Sequence, residues 1–297
     1  MTDRSYLVLE DRGVLTVTGE DRRPFLQGLI SNDIEKVAAD RAIYASLLTA
    51  QGRFLHDFFI AALDDVFLLD AEGARIDDLR RRLSLYRLRA KVTLTAAPDR
   101  AVVALFGNGA LSALGLQEDP GQATRLADGV AFVDPRLMRL GARAIVPRTT
   151  VDRLATMGFS PGSRADYEAL RFALGVPDGS RDLPIEKALL LENGFDELNG
   201  IDWKKGCYVG QELTARMKYR SLVRKRLMPV RIEGETPPPG TPILLDQEEA
   251  GEMRSASADR GLAMLRLEMV ERADREGRQL TAGNASLTPL KPAWAAS

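Results

Sequence analysis

An α+β fold is predicted by three observations. Strand-like and helix-like segments mix through about residue 200 without the regular βαβ alternation of a doubly wound sheet. Beyond Leu227 the chain breaks into short strand-like pieces separated by Gly and Pro, which reads as a small β-barrel or sandwich of about 70 residues. The 297 residues are 45% hydrophobic, enough to bury the cores of two domains. A body over residues 1–226 and a barrel over residues 227–297 are expected.

The elements follow in order. YLVLE and VLTVTG flank Asp11-Arg12-Gly13 and read as a hairpin with Gly at a turn position. EDRRPFLQGLISNDIEKV reads as one helix, with Phe25, Leu26, Leu29, Ile30 and Ile34 on a common face. AIYASLLTA and FLHDFFIAAL, parted by a Gln51-Gly52 turn, and then VFLLDA are strand-like. ARIDDLRRRLSLYRLRA repeats Ile76, Leu79, Leu83 and Tyr86 at helical spacing. KVTLTAA and AVVALFG read as strands, ALSALGL as a short helix and VAFVDPRLMRLGARAIVP as strand again. Phe106-Gly107-Asn108-Gly109 lacks the third glycine of a dinucleotide fingerprint and reads as a turn. TTVDRLATMGF is a short helix, and ADYEALRFALG another, opened by Ser163 with Asp166 three residues on and closed by Gly175 and Pro177. The last stretch, from MPVRIEG through AGEMRSASADRGLAMLRLEMV to ASLTPLKP, reads as strands with little helix.

Charge and rare residues narrow the chemistry. Lys+Arg is 41 and Asp+Glu 42, so only a local patch could draw nucleic acid or an anionic membrane. No apolar run approaches the ~18 residues of a membrane span. The first residues lack the basic start and apolar stretch of a signal peptide. A soluble, cytoplasmic protein without a membrane partner is expected. One cysteine, Cys207, excludes an intrachain disulfide and a self-contained cysteine-ligated cluster. One histidine, His56, excludes a metal held by several imidazoles.

The densest signal runs from Lys204 to Arg226, with eight Lys/Arg and one acid, Glu212. On charge alone this reads equally as a solvated face and as an anion-binding surface. Within it, Cys207 follows two lysines and lies between Gly206 and Gly210, where the backbone can approach a ligand closely.

The string Lys205-Gly206-Cys207-Tyr208-Val209-Gly210-Gln211-Glu212 resembles the KGCYxGQE signature of the YgfZ-type folate-binding proteins. These are relatives of the glycine-cleavage T protein, an aminomethyltransferase, and their mitochondrial counterparts assist iron–sulfur assembly. The resemblance spans nearly the whole chain. FLQG…SND matches the family's early helix, LLTAQGRFLHDFF resembles the T-protein segment LxTxxGGxxDD, and RFALGVP matches R-(I/L)-E-A-G-(I/L)-P. It implies a T-protein-like ring of subdomains around a central folate cavity, with a C-terminal β-barrel. The implied function is a tetrahydrofolate-binding accessory role in assembling or repairing [4Fe–4S] proteins, tRNA-modifying enzymes included.

Residues carry over one by one. Cys207 matches the signature cysteine and could supply one ligand to a transient iron–sulfur cluster bridged to a partner or a second copy. Lys205, Tyr208, Gln211 and Glu212 match the remaining signature side chains, with loop geometry and ligand contact as their two readings. Asp57 falls at the catalytic aspartate of the T protein, while His56 replaces the acid before it. Arg171 could hold a carboxylate or form a structural salt bridge, and Asn32 could line the cavity or cap a turn. Ala173 stands where relatives have the glutamate that could pair with a pterin, with Glu168 and Glu192 as substitutes. Three functions follow, in order: a folate-binding assembly factor acting on iron–sulfur client or assembly proteins, a folate-dependent transferase using Asp57, and an RNA-binding module using the 204–226 patch.

Overall fold

The computed structural model describes residues 4–220, 223–292 and 294–295, so the basic run from Lys204 to Arg226 contains two positions outside the described residues. Two compact units emerge, and neither is one continuous stretch. The first takes the chain up to Ser163 together with Leu198–Gln211; the second takes Arg164–Glu197 and the chain from Glu212 onward.

Two sheets build the first unit. One orders its six strands as Ser160–Pro161, Ser5–Val8, Arg100–Phe106, Ala142–Pro147, Gly129–Val133 and Ala123–Leu126. The other orders Ile43–Leu48, Phe54–Leu63, Val66–Glu72, Arg12–Thr18 and Thr93–Ala96. The expected opening hairpin does not form, because its two arms enter different sheets. Ser5–Val8 pairs antiparallel with Arg100–Phe106, and Arg12–Thr18 pairs with Val66–Glu72. Gly13 therefore does not serve a left-handed turn. A Cβ there would lie 2.9 Å from Ile76 Cγ1 and 3.2 Å from Gly73 Cα, so its small size lets the next helix close onto the strand.

Buried charge spans the two sheets of this unit. The carboxylate of Asp70, fully buried, accepts from Arg12 Nε at 2.7 Å and from Arg143 Nε at 2.8 Å. Arg136 pairs with Asp134 at 2.8 Å, and its guanidinium stands 4.8 Å from the Phe59 ring centre. Each charge has an opposite partner, which is the condition for keeping it out of water.

The expected helix from residue 20 to 37 is broken. An α-helix covers only Arg22–Gln27, and a 3-10 turn covers Ile34–Lys36. All five apolar positions are nonetheless buried, so the helical period located the core but not the backbone conformation. The helix Ile76–Leu85 buries Ile76, Leu79 and Leu83 as expected, whereas Tyr86 lies past its end and is exposed.

The second unit holds a closed six-stranded barrel in the order Lys225–Glu233, Arg260–Arg266, Glu248–Ser257, Pro242–Leu245, Leu280–Ala282 and Ala285–Pro289. The helix Arg164–Leu174 sets Phe172 against Leu227, Leu262 and Met264. It ends at Gly175, whose φ of +69° supplies the left-handed residue that terminates such helices. One helix interrupts the strands of this region, where little helix is expected, over a segment read as strand-like. Leu267–Glu276 buries Met269 and Ala273 at i, i+4 spacing and stops at Gly277 with φ +64°.

Candidate functional site

The signature residues from Lys205 to Gln211 lie in the first unit, on a loop returning from Leu198. Asn199 starts the loop at φ +56°, a conformation asparagine tolerates better than most residues, and donates to the Pro135 carbonyl at 3.0 Å. The Asp202 N–H donates to the Ser31 carbonyl, and the Ser31 hydroxyl donates to the Gly200 carbonyl at 2.6 Å.

Lys205 is the central anchor. Its Nζ donates to the carbonyls of Gln27 at 2.7 Å, Ile30 at 2.5 Å and Asn32 at 2.8 Å. The helix that begins at Arg22 stops because these carbonyls, which would otherwise continue a helix, converge on one ammonium. Burial pushes the Lys205 pKa down to about 8, while Asp33 and Asp202 hold it up. At neutral pH it keeps three protons, one for each carbonyl. Gln27 reinforces the same turn: its amide donates to Asp33 Oδ1 at 2.8 Å and its Oε1 accepts from the Ile34 N–H at 3.0 Å.

The far side of the loop is held equally firmly. Tyr208 is buried with its ring centre 5.2 Å from Lys205 Nζ. Its N–H donates to Gln211 Oε1 at 3.2 Å, and the Val209 N–H donates to the Gly28 carbonyl at 3.1 Å. Gly210 has φ +82°, and a Cβ on it would lie 2.3 Å from the Thr49 carbonyl oxygen. Only glycine fits. Between these anchors, Gly206 and Cys207 face solvent, and so does Glu212 just beyond them. Among the described residues no group of three His, Cys, Asp or Glu is arranged to hold a metal ion. The loop thus presents a single thiol from a rigid frame.

The remaining sequence candidates lie elsewhere or are engaged in packing. Asp57, on the strand Phe54–Leu63, is buried and accepts from the Tyr44 hydroxyl at 2.8 Å. Burial, and then the Asp57 charge, raises the Tyr44 pKa well above its ordinary value, so the hydroxyl remains a donor. His56 points to the opposite face, as alternation along a strand requires. Its Nε2 lies 2.9 Å from Asp78 Oδ2, and burial plus the nearby Arg75 lower its pKa to about 4. Positions 56 and 57 therefore do not converge on one reacting centre.

Asn32 donates to the carbonyls of Tyr44 and Asn199, both at 2.8 Å, and its Oδ1 accepts from the Asp33 N–H. It also lines a cavity of about 340 Å³ with Lys36, Arg41, Tyr44, Asp119 and Asn199. A carboxylate is the acceptor that best matches the paired N–H donors of a pterin's amino edge. Asp119, the one carboxylate lining this cavity among the described residues, is bonded by Arg41 at 3.1 and 2.7 Å. In this cavity a pterin's amino edge would therefore meet only a carboxylate already held by an arginine.

Arg171 belongs to the second unit, buried, with Nη1 on Asp182 at 2.7 Å and Nη2 on Glu168 and Ser255 at 2.8 Å. It joins its helix to a barrel strand. Glu168 also accepts from Arg181, and Ala173 is exposed. In the basic run, Lys205 is committed to carbonyls, Lys218 pairs with Asp196 and Arg226 pairs with Glu197. That reduces the cations left for a nucleic acid.

Comparison with known proteins decides the family. A human protein named iron–sulfur cluster assembly factor IBA57, mitochondrial, is 36% identical over 287 residues, covering 89% of this chain and 78% of its own length. The chain belongs to the IBA57 family. The mouse protein of the same name is 32% identical over 293 residues, with the same coverage of 89% and 78%. Both relatives are mitochondrial by name, which overturns the cytoplasmic expectation. The family model described as the CAF17 C-terminal β-barrel domain matches residues 224–297. Among solved structures, the glycine cleavage system aminomethyltransferase T from Bartonella henselae superposes with a TM-score of 0.78 at 13% identity, covering 99% of this chain and 87% of that one. IBA57-family membership and this likeness together give an α+β aminomethyltransferase fold ending in a closed barrel.

Proposed function

We propose that this chain is an assembly factor for iron–sulfur proteins that offers Cys207 as its one cluster ligand, the other ligands coming from a partner protein. The observation that carries the reading is the exposed thiol on a loop locked by the three carbonyl bonds of Lys205. The relatives' names support the assembly role. The cluster is cargo. The Cys207 thiol loses its proton to solvent, and the thiolate lone pair forms an iron–sulfur bond as a bond from iron to the donor's ligand breaks. No electron changes hands. Lys204, exposed, and Lys205 place positive charge beside an anionic cluster. The receiving clients in this reading are [4Fe–4S] proteins, tRNA-modifying enzymes among them.

Tetrahydrofolate stays outside this chemistry in our reading, since the carboxylate lining the cavity beside Asn32 and Tyr44, Asp119, is already held by Arg41. Anaerobic calorimetry with tetrahydrofolate is expected to give no saturable heat. One-site binding would reinstate folate as a ligand.

The reading is tested in cells lacking their own relative, by assaying a [4Fe–4S] enzyme after the wild-type chain or Cys207→Ser is supplied. Recovery with wild type alone is expected. Equal recovery with both would remove Cys207 from the mechanism.

A further inference from the structure

Among the described residues, the end of the helix Ile76–Leu85 and the turn after it are where exposed large apolar side chains cluster. Leu85 is 68% exposed, Tyr86 42% and Leu88 90%. Leu88 also holds φ +41°, a left-handed conformation that leucine rarely adopts. Nothing buried repays that strain at Leu88 itself. From Asp77 to Lys91 the chain carries six Lys/Arg and two acids, against near-balance over the whole sequence. Arg80, Arg81 and Arg82 pair with Asp77 or Asp78, and Lys91 pairs with Glu20. Arg87 and Arg89, on either side of Leu88, are exposed and have no ion pair among the described residues.

We propose that the segment Leu85–Lys91 is a peripheral contact for an anionic lipid surface. Leu88, Leu85 and Tyr86 enter the headgroup layer while Arg87 and Arg89 meet lipid phosphates. The segment is exposed, so it suits a deformable interface that needs no matching pocket. Tyrosine is a residue favoured at that depth. A nucleic acid would gain little from it, since two of its three apolar side chains are aliphatic and cannot stack on bases. The expectation of no membrane partner came from whole-chain charge and the lack of a span, and neither describes this local surface.

The test is co-sedimentation of the full chain with phosphatidylcholine vesicles, with and without about a third of phosphatidylglycerol. Pelleting only with the anionic vesicles is expected. Leu88→Asn, which suits the left-handed backbone and removes the aliphatic group, is expected to weaken binding by about tenfold. Arg87→Gln with Arg89→Gln is expected to weaken it by on the order of tenfold and to flatten its salt dependence. Unchanged thermal melts check that both variants are folded. Wild type that stays in the supernatant with every vesicle would overturn the proposal and leave the segment to a protein partner. Variants that pellet as well as wild type would overturn it too.

Discussion

Lys205 Nζ donates to the Gln27 carbonyl at 2.7 Å across 178 positions of sequence. That bond, with its companions to Ile30 and Asn32, ends one helix and fixes the loop carrying Cys207. One lysine therefore acts as helix terminator and thiol mount together.

Lys205→Met is expected to lower stability by ~3 kcal/mol, because three carbonyls lose their donor in a half-buried site. Lys205→Arg is not expected to restore it, since a planar guanidinium cannot serve three converging carbonyls as an ammonium does. Denaturant midpoints measure both. Alkylation kinetics of Cys207 should change alongside, as the thiol's frame loosens.

The two glycines around the thiol separate strain from crowding. Gly206→Ala meets no atom within 4 Å and carries only the backbone penalty at φ +91°, about 1–2 kcal/mol. Gly210→Ala adds a clash with the Thr49 carbonyl and should cost ~3 kcal/mol or more, or fail to fold. Equal melting temperatures for the two variants would contradict this geometry.

Legibility divided along physical lines. The signature around Cys207 stood out in the sequence because its residue types and spacing are rare together. The apolar positions of the segment 25–34 marked the core, yet the break after Gln27 was hidden, because what breaks the helix is an ammonium from residue 205. The separation of Ser5–Val8 from Arg12–Thr18 was hidden for a similar reason: both arms have hairpin propensity, and their partners lie far along the chain. The helix Leu267–Glu276 was legible in its i, i+4 spacing and in Gly277, and was masked by the strand character around it.

His56 makes acid sensitivity measurable. Its folded pKa is about 4, below the ordinary value near 6.5, so between those pH values the unfolded chain binds a proton that the folded chain does not. Stability from this group is full above pH ~6.5 and falls as pH drops toward 4, by on the order of 3 kcal/mol. Denaturant curves at pH 7 and near pH 4.5 should show a smaller loss for His56→Gln than for wild type. Identical losses would remove His56 as the source.

Arg171→Met is expected to destabilise the protein by ~3–5 kcal/mol, because Asp182 and Glu168 would each lose a buried cationic partner. Thermal melts would show it. A variant as stable as wild type would return Arg171 to the list of ligand-binding residues.

The central claim is tested most directly by anaerobic alkylation of the single cysteine. The chain is mixed with a cluster-loaded assembly protein from the same cell, and modification of Cys207 is read by mass spectrometry with and without the cluster. Protection of Cys207 only when the cluster is present is the expected result, with release on adding an iron chelator. Equal alkylation in both samples would show that the thiol does not touch the cluster and would contradict the account.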